Sequence, residues 1–346
     1  MTAAVTRNPA GVTPEPPSAE FARIAARDAA VVCDLASLRV LAIAGADAAT
    51  FLNGQLSADV GNLAPGTVRH ASFNSPKGRM LANFALWRTA EPGGDFRIVL
   101  PADIAEPVRK RLSMYVLRAK VTLIDVSAGH VCIGVGGPTA GDALGASLGE
   151  VPAPFAAIDA GTATVLGLPG PRYLVVAPAP SAEATREALL RHACAASAEV
   201  WQWLTIRAGV PVITAATQDL FVAQTANWDV LGGVDFQKGC YTGQEIIART
   251  QYLGRLKERA FVFHVDAPPA ASGERIYNAA FGEQACGTVV NAAAAPGGGC
   301  DLLAVLQSAA AERGDSRLGA PDGPPLVPLP LPYAMPAPAA PRGRLR

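Results

Sequence analysis

"DFQKGCYTGQEIIARTQYLGR", residues Asp235–Arg255, stands out in an alanine-rich chain. Within it, Lys238–Glu245 brings together two glycines, a thiol, an amide, an ammonium group and a carboxylate. Three interpretations of Cys240 fit this composition: a nucleophile in an active site, a metal ligand, or part of a loop that binds a ligand without reacting with it. The rest of the chain is needed to choose among them.

The overall composition excludes several broad classes of function. The 346 residues contain 29 Lys and Arg and 29 Asp and Glu, so the formal net charge is zero and gives no general attraction to nucleic acid or to a membrane. The six cysteines and four histidines are scattered, and no two cysteines form a C-x-x-C pair. This spacing argues against a structural zinc site or a cluster-binding knuckle. We expect no metal, no direct nucleic-acid partner and no membrane partner.

The N-terminal sequence predicts the location of the protein. Residues 1–20 contain no apolar core of signal-peptide length, and no segment reaches the roughly 18 apolar residues of a membrane span. We therefore expect a cytoplasmic protein whose cysteines are free thiols.

The pattern along the chain predicts an α+β fold with two similar α+β units and a small C-terminal β-barrel-like domain. Leu38–Gly45 is typical of a strand, Asp47 is placed to cap a helix, and a hairpin is predicted to turn at Ser75–Gly78. Strand, glycine turn and helix recur from His130, and short strand-like pieces follow Lys257. The predicted segments are a disordered leader at 1–22, a first unit at 23–125, a second unit at 126–256, the barrel-like domain at 257–335 and a mobile tail at 336–346.

A glycine cluster, "GVGGPTAG" at Gly134–Gly141, has some features of a nucleotide-binding loop. A dinucleotide fingerprint requires G-x-G-x-x-G and an acidic residue about twenty positions later. Thr139 stands where the third glycine belongs, and Pro138 suits the first turn of an ordinary helix. The pattern favours a tight strand-to-helix turn over a nucleotide site.

The chemistry of Cys240 stays open on the residues alone. Lys238 and a helix starting near Gly243 are features that activate a thiol, but no histidine is near in sequence to act as a base. In the alternative interpretation Cys240 is a small buried residue of a turn. Glu245 then complements the helix dipole, and the Gln244 amide suits the edge of a heterocycle.

Lys238–Lys257, "KGCYTGQEIIARTQYLGRLK", resembles the signature of the YgfZ family, which are folate-binding proteins related to the glycine-cleavage aminomethyltransferase. Other blocks agree with the family in the same order, and the resemblance spans about residues 30–335. These blocks are Leu41–Leu63, Asn74–Arg88, Tyr115–Leu123, Arg207–Ile213, Phe221–Glu245 and the closing "PLPLPY".

The resemblance implies a ring-like arrangement of three domains with a central channel that binds tetrahydrofolate, one wall of which is formed by Lys238–Glu245. It also implies a role in maintaining [4Fe–4S] enzymes, including the radical enzyme that methylthiolates tRNA. The implied partners are iron–sulfur cluster assembly proteins or the client enzymes. Cys240 is then a candidate redox-active or cluster-touching thiol.

Two positions depart from the patterns of the relatives. Where the aminomethyltransferases carry adjacent aspartates, this chain has Ala82 and Asn83, so general-base assistance at the folate amine has no obvious source and aminomethyl transfer is not expected. Of two folate-binding tryptophans in the best-known relative, Trp201 holds one place and Leu38 the other. An indole stacks on a pterin or benzoyl ring, whereas leucine does not. Trp201 also fits a core aromatic residue.

The matched blocks supply further candidates for folate binding. Clustered cations would hold the carboxylates of a folate glutamate tail by charge-assisted hydrogen bonds. These cations are Lys77, Arg79, Arg118, Lys120, Lys238 and Arg249. Asn227, Gln244 and Glu245 complete the predicted cofactor-binding set. Two alternative functions stay open, a folate-dependent one-carbon transferase or demethylase and a ligand-free adaptor in cluster assembly.

Overall fold

A computed structural model describes residues 19–90, 95–252 and 256–336. The helices are α1 (Ala19–Asp28), α2 (Ala48–Gln55), α3 (Ala102–Ser113), α4 (Ala140–Leu148), α5 (Ala179–Leu190), α6 (Ala198–Arg207), α7 (Gln244–Tyr252) and α8 (Ser308–Arg313). The first strands are β1 (Val31–Asp34), β2 (Leu38–Ala44), β3 (Val68–Asn74), β4 (Met80–Arg88), β5 (Phe96–Pro101), β6 (Thr122–Asp125), β7 (His130–Gly136), β8 (Ala157–Asp159) and β9 (Thr164–Leu168). The later strands are β10 (Arg172–Pro178), β11 (Cys194–Ala196), β12 (Glu258–Val265), β13 (Arg275–Asn278), β14 (Ala285–Ala294), β15 (Cys300–Gln307), β16 (Ser316–Leu318) and β17 (Val327–Leu329).

The first sheet has the order β3-β4-β5-β2-β6 and is antiparallel throughout. The hairpin predicted at Ser75–Gly78 is confirmed as the β3–β4 connection, where the Gly78 N–H donates to the Ser75 carbonyl at 2.9 Å. The predicted side-chain cap by Asp47 is wrong. Its carboxylate instead accepts the backbone N–H of Lys120 at 2.7 Å, and this contact ties the start of α2 to the segment before β6.

The second sheet has the order β11-β1-β7-β10-β9-β8. Its strand β1 comes from the start of the chain and lies between β7, antiparallel, and β11, parallel. Residues 31–34 therefore belong to the second sheet, although the sequence assigned 23–125 to the first unit. The side chains of β1 alternate: Val31 and Cys33 join the core with α1 and α6, and Val32 joins the core with α4 and α5. Helices thus cover both faces of this sheet.

The glycine cluster forms the tight strand-to-helix turn that the sequence predicts. Gly137 has a φ of +110°, and α4 begins at Ala140. Gly134 and Gly136 lie in β7 for a different reason, because Trp201 and Leu204 of α6 occupy the space that their side chains would fill.

The C-terminal strands form a curled antiparallel sheet with the order β16-β13-β14-β15-β12-β17. The sequence predicted a barrel-like domain here. Among the described strands, β16 and β17 are the sheet edges, so the strand pairing does not close the sheet into a barrel.

Between α6 and α7 the described chain runs from residue 208 to 243 without a helix or strand of its own, and it packs back on the first sheet. The Met80 N–H donates to the Phe221 carbonyl at 2.8 Å, and the Asp235 N–H donates to the Ser57 carbonyl at 2.9 Å. This return brings the Lys238–Glu245 loop against the first sheet.

The segments predicted to be disordered or mobile at the two ends of the chain lie mainly outside the described residues. Most of the leader predicted at 1–22 and the tail predicted at 336–346 lie there, although α1 already begins at Ala19. In the described ranges, every helix is too short or too polar to cross a membrane.

Candidate functional site

A cavity of about 520 Å³ lies where the three sheets meet, and its size suits a small organic ligand. Its lining draws on the first sheet, the second sheet, α6 and the C-terminal sheet. Residues that line it include Leu38, His70, Asn83, Asp103, Arg172, Glu199, Trp201, Thr205, Trp228 and Asn291. Most of the other lining residues are apolar, so the site combines an apolar surface with a few polar groups.

Trp201 and Leu38, which the sequence paired as counterparts of two folate-binding residues, line this one cavity. Trp201 is half-buried on α6, where its indole lies against Gly134: an ideal Cβ at that glycine would come within 2.5 Å of Cε3. The Arg172 guanidinium lies over the same indole, 5.4 Å from the ring centroid. The aromatic wall is therefore fixed from two neighbouring strands, β7 and β10.

Arg172 is a cavity residue that sequence reasoning missed. Its side chain is buried and donates from Nε to the Pro169 carbonyl at 3.1 Å and from Nη1 to the Thr205 hydroxyl at 2.7 Å. In the described part of the chain it has no ion-pair partner, and burial lowers its pKa to about 9. The guanidinium therefore stays charged at neutral pH without a protein carboxylate to neutralise it. The available signal was an arginine that opens the otherwise apolar strand "RYLVVAP".

Asn83 lines the cavity and also holds its wall together. Its Nδ2 donates to the Pro211 carbonyl at 2.8 Å, and its Oδ1 accepts the Ile213 N–H at 2.9 Å. A carboxylate cannot make both bonds, because it has no N–H to donate. Ala82 beside it is fully buried in β4. The carboxylates that do line the cavity are Asp103 and Glu199, and both are exposed.

His70 and Trp228, which the sequence also did not indicate, form a buried stack at the cavity. Their ring centroids are 4.5 Å apart at an interplanar angle of 21°. The His70 Nδ1 lies 3.0 Å from the Leu231 carbonyl, so this nitrogen carries the proton that it donates. Burial lowers the pKa of His70 to about 4, and the imidazole is therefore neutral at pH 7.

The Lys238–Glu245 loop is not part of this lining, so the prediction that it forms a wall of the ligand channel is not met at this cavity. The Lys238 ammonium donates to the carbonyls of Asn53, Leu56 and Ala58 at 2.6, 2.7 and 2.9 Å. It also lies 5.0 Å from the centroid of the Tyr241 ring. These contacts fasten the loop to the end of α2 and the residues after it.

The two glycines Gly78 and Gly243 meet where the hairpin tip touches the start of α7. Both have positive φ, +70° and +81°, and an ideal Cβ on Gly243 would lie 2.8 Å from the Gly78 Cα. A side chain at either position is disfavoured by the backbone conformation and by this close approach. Gly243 of the family motif thus has a packing role against the first sheet.

Three further residues of the motif and of α7 face outward. Cys240, Glu245 and Arg249 are exposed, so the alternative in which Cys240 is buried is wrong. Gln244 accepts the Tyr241 N–H at 3.3 Å through Oε1. Arg79 is also exposed, and its guanidinium donates to the carbonyls of Leu220 and Asp219.

Asn227 lies away from the cavity and joins the irregular segment to the C-terminal region. It is fully buried with a φ of +59°. Its Nδ2 donates to the Ala260 carbonyl at 2.8 Å and to the Tyr333 hydroxyl at 3.2 Å, and its Oδ1 accepts the Ala260 N–H at 3.3 Å. The amide is therefore committed to protein partners.

The cations proposed for a glutamate tail are not gathered at the cavity. None of the set Lys77, Arg79, Arg118, Lys120, Lys238 and Arg249 lines it. Among the described residues, no group of three or more His, Cys, Asp or Glu side chains is placed to hold a metal ion. All six cysteines are unpaired.

Comparisons with known proteins agree with this architecture. The family model of the GCVT N-terminal domain matches residues 18–204. A protein of Shigella sonnei (strain Ss046) called tRNA-modifying protein YgfZ is 34% identical over 248 residues, which cover 71% of this chain and 74% of that protein. The protein of the same name from Escherichia coli (strain K12) is 33% identical over the same shares.

A solved structure shares the fold at low sequence identity. The glycine cleavage system aminomethyltransferase T from Bartonella henselae superposes with a TM-score of 0.69 at 17% identity, over 84% of this chain and 82% of that one. The GCVT-like fold, the extent of the family match and the relatives above 30% identity lead to one assignment. The chain belongs to the YgfZ family, which is built on the GCVT N-terminal domain.

Proposed function

We propose that this protein binds tetrahydrofolate in the cavity between its sheets and supports the assembly or repair of [4Fe–4S] enzymes, including a radical enzyme that methylthiolates tRNA. The observation that carries the proposal is the convergence of Trp201, Leu38 and Arg172 on one cavity of about 520 Å³. The relatives called tRNA-modifying protein YgfZ support the connection to tRNA modification.

The chemistry of the cavity matches that of a folate. A folate has a flat heterocycle, a benzoyl ring and a glutamate tail with at least two carboxylates. The Trp201 indole offers a stacking face for a ring, and such contacts contribute roughly 0.5–1.5 kcal/mol beyond area burial. Among the described residues that line the cavity, Arg172 is the one with a side chain that is cationic at neutral pH. In the described chain no carboxylate pairs with its charge. A ligand carboxylate or a polarised heterocycle oxygen would complete its hydrogen bonds.

Leu38 contributes apolar contact rather than stacking. Leu38 lines the same cavity as Trp201 and stands where the relative has its second folate-binding tryptophan. It offers no aromatic ring on which a ligand ring could stack. We expect this chain to hold the ligand mainly between Trp201 and Arg172, with Leu38 closing the apolar side.

Cys240 has a role separate from folate binding in this proposal. The thiol is exposed on the Lys238–Glu245 loop, outside the cavity lining, where a partner protein reaches it. We propose that it is the redox-active or cluster-touching group that meets cluster assembly proteins or client enzymes. In this proposal the protein works in the cytoplasm and binds neither nucleic acid nor a membrane directly.

A folate-dependent one-carbon transferase is the second candidate function. Asn83 leaves no carboxylate at the buried position, but Glu199 lines the cavity at the first turn of α6 and is exposed. Asp103 is less available, because its Oδ2 accepts the Ala215 N–H at 2.9 Å. Transfer of a labelled one-carbon group to tetrahydrofolate, lost in Glu199→Gln, would favour the enzyme over the proposal above.

The decisive experiment is a calorimetric titration with tetrahydrofolate of the wild type and the variants Trp201→Ala, Trp201→Phe and Cys240→Ala. We expect Trp201→Ala to lose binding, Trp201→Phe to keep part of it because a ring remains, and Cys240→Ala to bind as the wild type does. Absence of both heat and tryptophan quenching with the wild type would overturn the folate proposal and favour the ligand-free adaptor.

A further inference from the structure

A second cavity, of about 480 Å³, lies between the second sheet and the C-terminal sheet. It has no part in the function proposed above. Most of its lining is apolar and comes from alanine, proline and leucine. These residues are Ala26, Pro138, Pro171, Leu204, Ala208, Ala295, Pro296, Leu329 and Pro332. Such a surface favours the apolar body of a small molecule.

One end of this cavity carries a connected polar cluster centred on Asp301 of β15. The Asp301 carboxylate is buried and accepts the Trp203 Nε1–H at 2.8 Å through Oδ2. Through Oδ1 it lies 2.8 Å from the His264 Nδ1. Because a carboxylate only accepts, His264 must donate from Nδ1. The other ring nitrogen, Nε2, has no hydrogen bond within the described residues.

Arg207 lies at the same cluster with most of its donors unused. Its Nη1 is 3.6 Å from Asp301 Oδ2, beyond ordinary hydrogen-bond distance, and the side chain is 35% exposed. Over the described ranges this guanidinium has no other ion pair or hydrogen bond. It therefore presents a planar set of N–H donors, a geometry that matches carboxylate and phosphate oxygens.

The charges of the lining favour an anion. The cationic residues are Arg27, Arg172 and Arg207, and the single lining carboxylate is Asp301, which already faces three donors. Arg27 pairs with Asp28 at 2.7 Å, so two further arginines, Arg207 and Arg172, face the one carboxylate of Asp301, which leaves a net charge of one positive unit. Arg172 lines both cavities, and the two sites therefore share a wall.

We propose that this second cavity binds an organic anion with an apolar body and a carboxylate or phosphate head group. The Arg207 guanidinium holds the head group by charge-assisted hydrogen bonds. The His264 ring is held by its Nδ1–H bond to Asp301 and presents Nε2 to the ligand, and this nitrogen donates to the head group when it carries a proton. Asp301 and Trp203 act as positioning residues, since they fix the imidazole and the end of α6.

The test uses benzoate and phenylphosphate as probes and benzyl alcohol as a neutral control. Calorimetry measures binding to the whole protein, and NMR of the imidazole nitrogens reports whether His264 senses the probe. We expect at least one anionic probe to bind at millimolar concentrations or below and to shift the His264 resonances. The stronger of the two anions identifies the preferred head group.

Variants assign the head-group contacts. Arg207→Gln and His264→Gln should each weaken binding of the anionic probe by about tenfold or more. Arg313→Gln, which removes an exposed arginine on α8, should leave it unchanged. Tetrahydrofolate titration of the same variants checks that the first cavity is intact. Loss of anion binding at the second cavity can therefore be distinguished from loss of folate binding at the first. The inference is overturned if neither anion binds, if benzyl alcohol binds as tightly as the anions, or if Arg207→Gln binds like the wild type.

Discussion

The indole of Trp201 occupies the space that a side chain at Gly134 would need, with an ideal Cβ only 2.5 Å from Cε3. The glycine in β7 is thus what allows α6 to bring its tryptophan to the cavity. A residue that reads in the sequence as part of a nucleotide-binding loop instead sets the position of an aromatic wall.

Gly134→Ala should displace the Trp201 indole, because real Cβ atoms do not come this close to other heavy atoms. Overpacking of this kind costs about 1–3 kcal/mol of unfolding free energy. Chemical denaturation measures this loss, and the tryptophan emission spectrum should shift with it. Gly54→Ala in α2 is the control: its Cβ meets no atom within 4 Å, and alanine should stabilise the helix slightly. Equal effects of the two variants would contradict the packing argument.

Lys238→Met should lower the free energy of unfolding by about 2 kcal/mol, because three carbonyls lose a charged donor. Tetrahydrofolate affinity should change little, since Lys238 does not line the cavity. Urea denaturation and calorimetry measure the two quantities, with exposed Lys77→Met as the control. A loss of affinity without a loss of stability would instead support a role for Lys238 in holding the ligand tail.

Asn83→Asp should destabilise the protein by about 2–4 kcal/mol rather than create a catalytic base. The substitution removes the donor to the Pro211 carbonyl and buries a charge at the same point. Asn53→Asp provides the comparison, because within the described residues the Asn53 side chain acts only as an acceptor, from the Val60 N–H at 3.1 Å, which a carboxylate can also do. Thermal unfolding at pH 7 should separate the two variants clearly, and similar melting temperatures would refute the explanation.

His70 should make the fold sensitive to mild acid. Burial lowers its pKa from the ordinary value of 6.5 to about 4, so between these values the unfolded chain binds more protons than the folded one. Stability from this group is present above pH 6.5 and is lost as the pH falls toward 4. The expected loss between pH 7 and pH 5 is about 2 kcal/mol.

The variant His70→Asn keeps a donor for the Leu231 carbonyl but does not titrate in this range. Its urea-denaturation free energy should therefore fall less than that of the wild type over the same interval. Parallel pH profiles for the two proteins would show that His70 is not the source of the acid sensitivity.

Arg172→Met should weaken tetrahydrofolate binding by about tenfold or more, because it removes the cation of the cavity lining while keeping much of the stem. The measurement is calorimetry, with Arg313→Met as the matched surface control. Retained affinity in Arg172→Met, with the fold intact by circular dichroism, would exclude Arg172 from ligand recognition.

The sequence predicted the features that depend on neighbours along the chain. The Ser75–Gly78 hairpin, the helix from Gln244 and the turn after Gly136 follow from local patterns of apolar residues and glycine. The family resemblance paired Trp201 with Leu38, and both line one cavity, while their role in folate binding stays a prediction.

The features that depend on tertiary contacts were missed. Nothing local to Arg172 shows that it lies over Trp201. In the same way, the carbonyls bound by Lys238 lie about 180 residues earlier in the chain. A charged residue in a motif is equally compatible with binding a ligand and with holding two parts of the fold together, and only the partner atoms distinguish these roles.

The placement of β1 has a consequence for the order in which the chain folds during synthesis. The first sheet uses one continuous stretch, residues 38–125, so its strands can pair as soon as that stretch has left the ribosome. Val31, by contrast, pairs with Gly136 and with Cys194, which are made much later. Strand β1 therefore stays unpaired after the first sheet has formed, until β7 and β11 of the second sheet have been synthesised. Its apolar Val31–Cys33 segment is exposed during that interval, and an unpaired apolar strand is prone to aggregation.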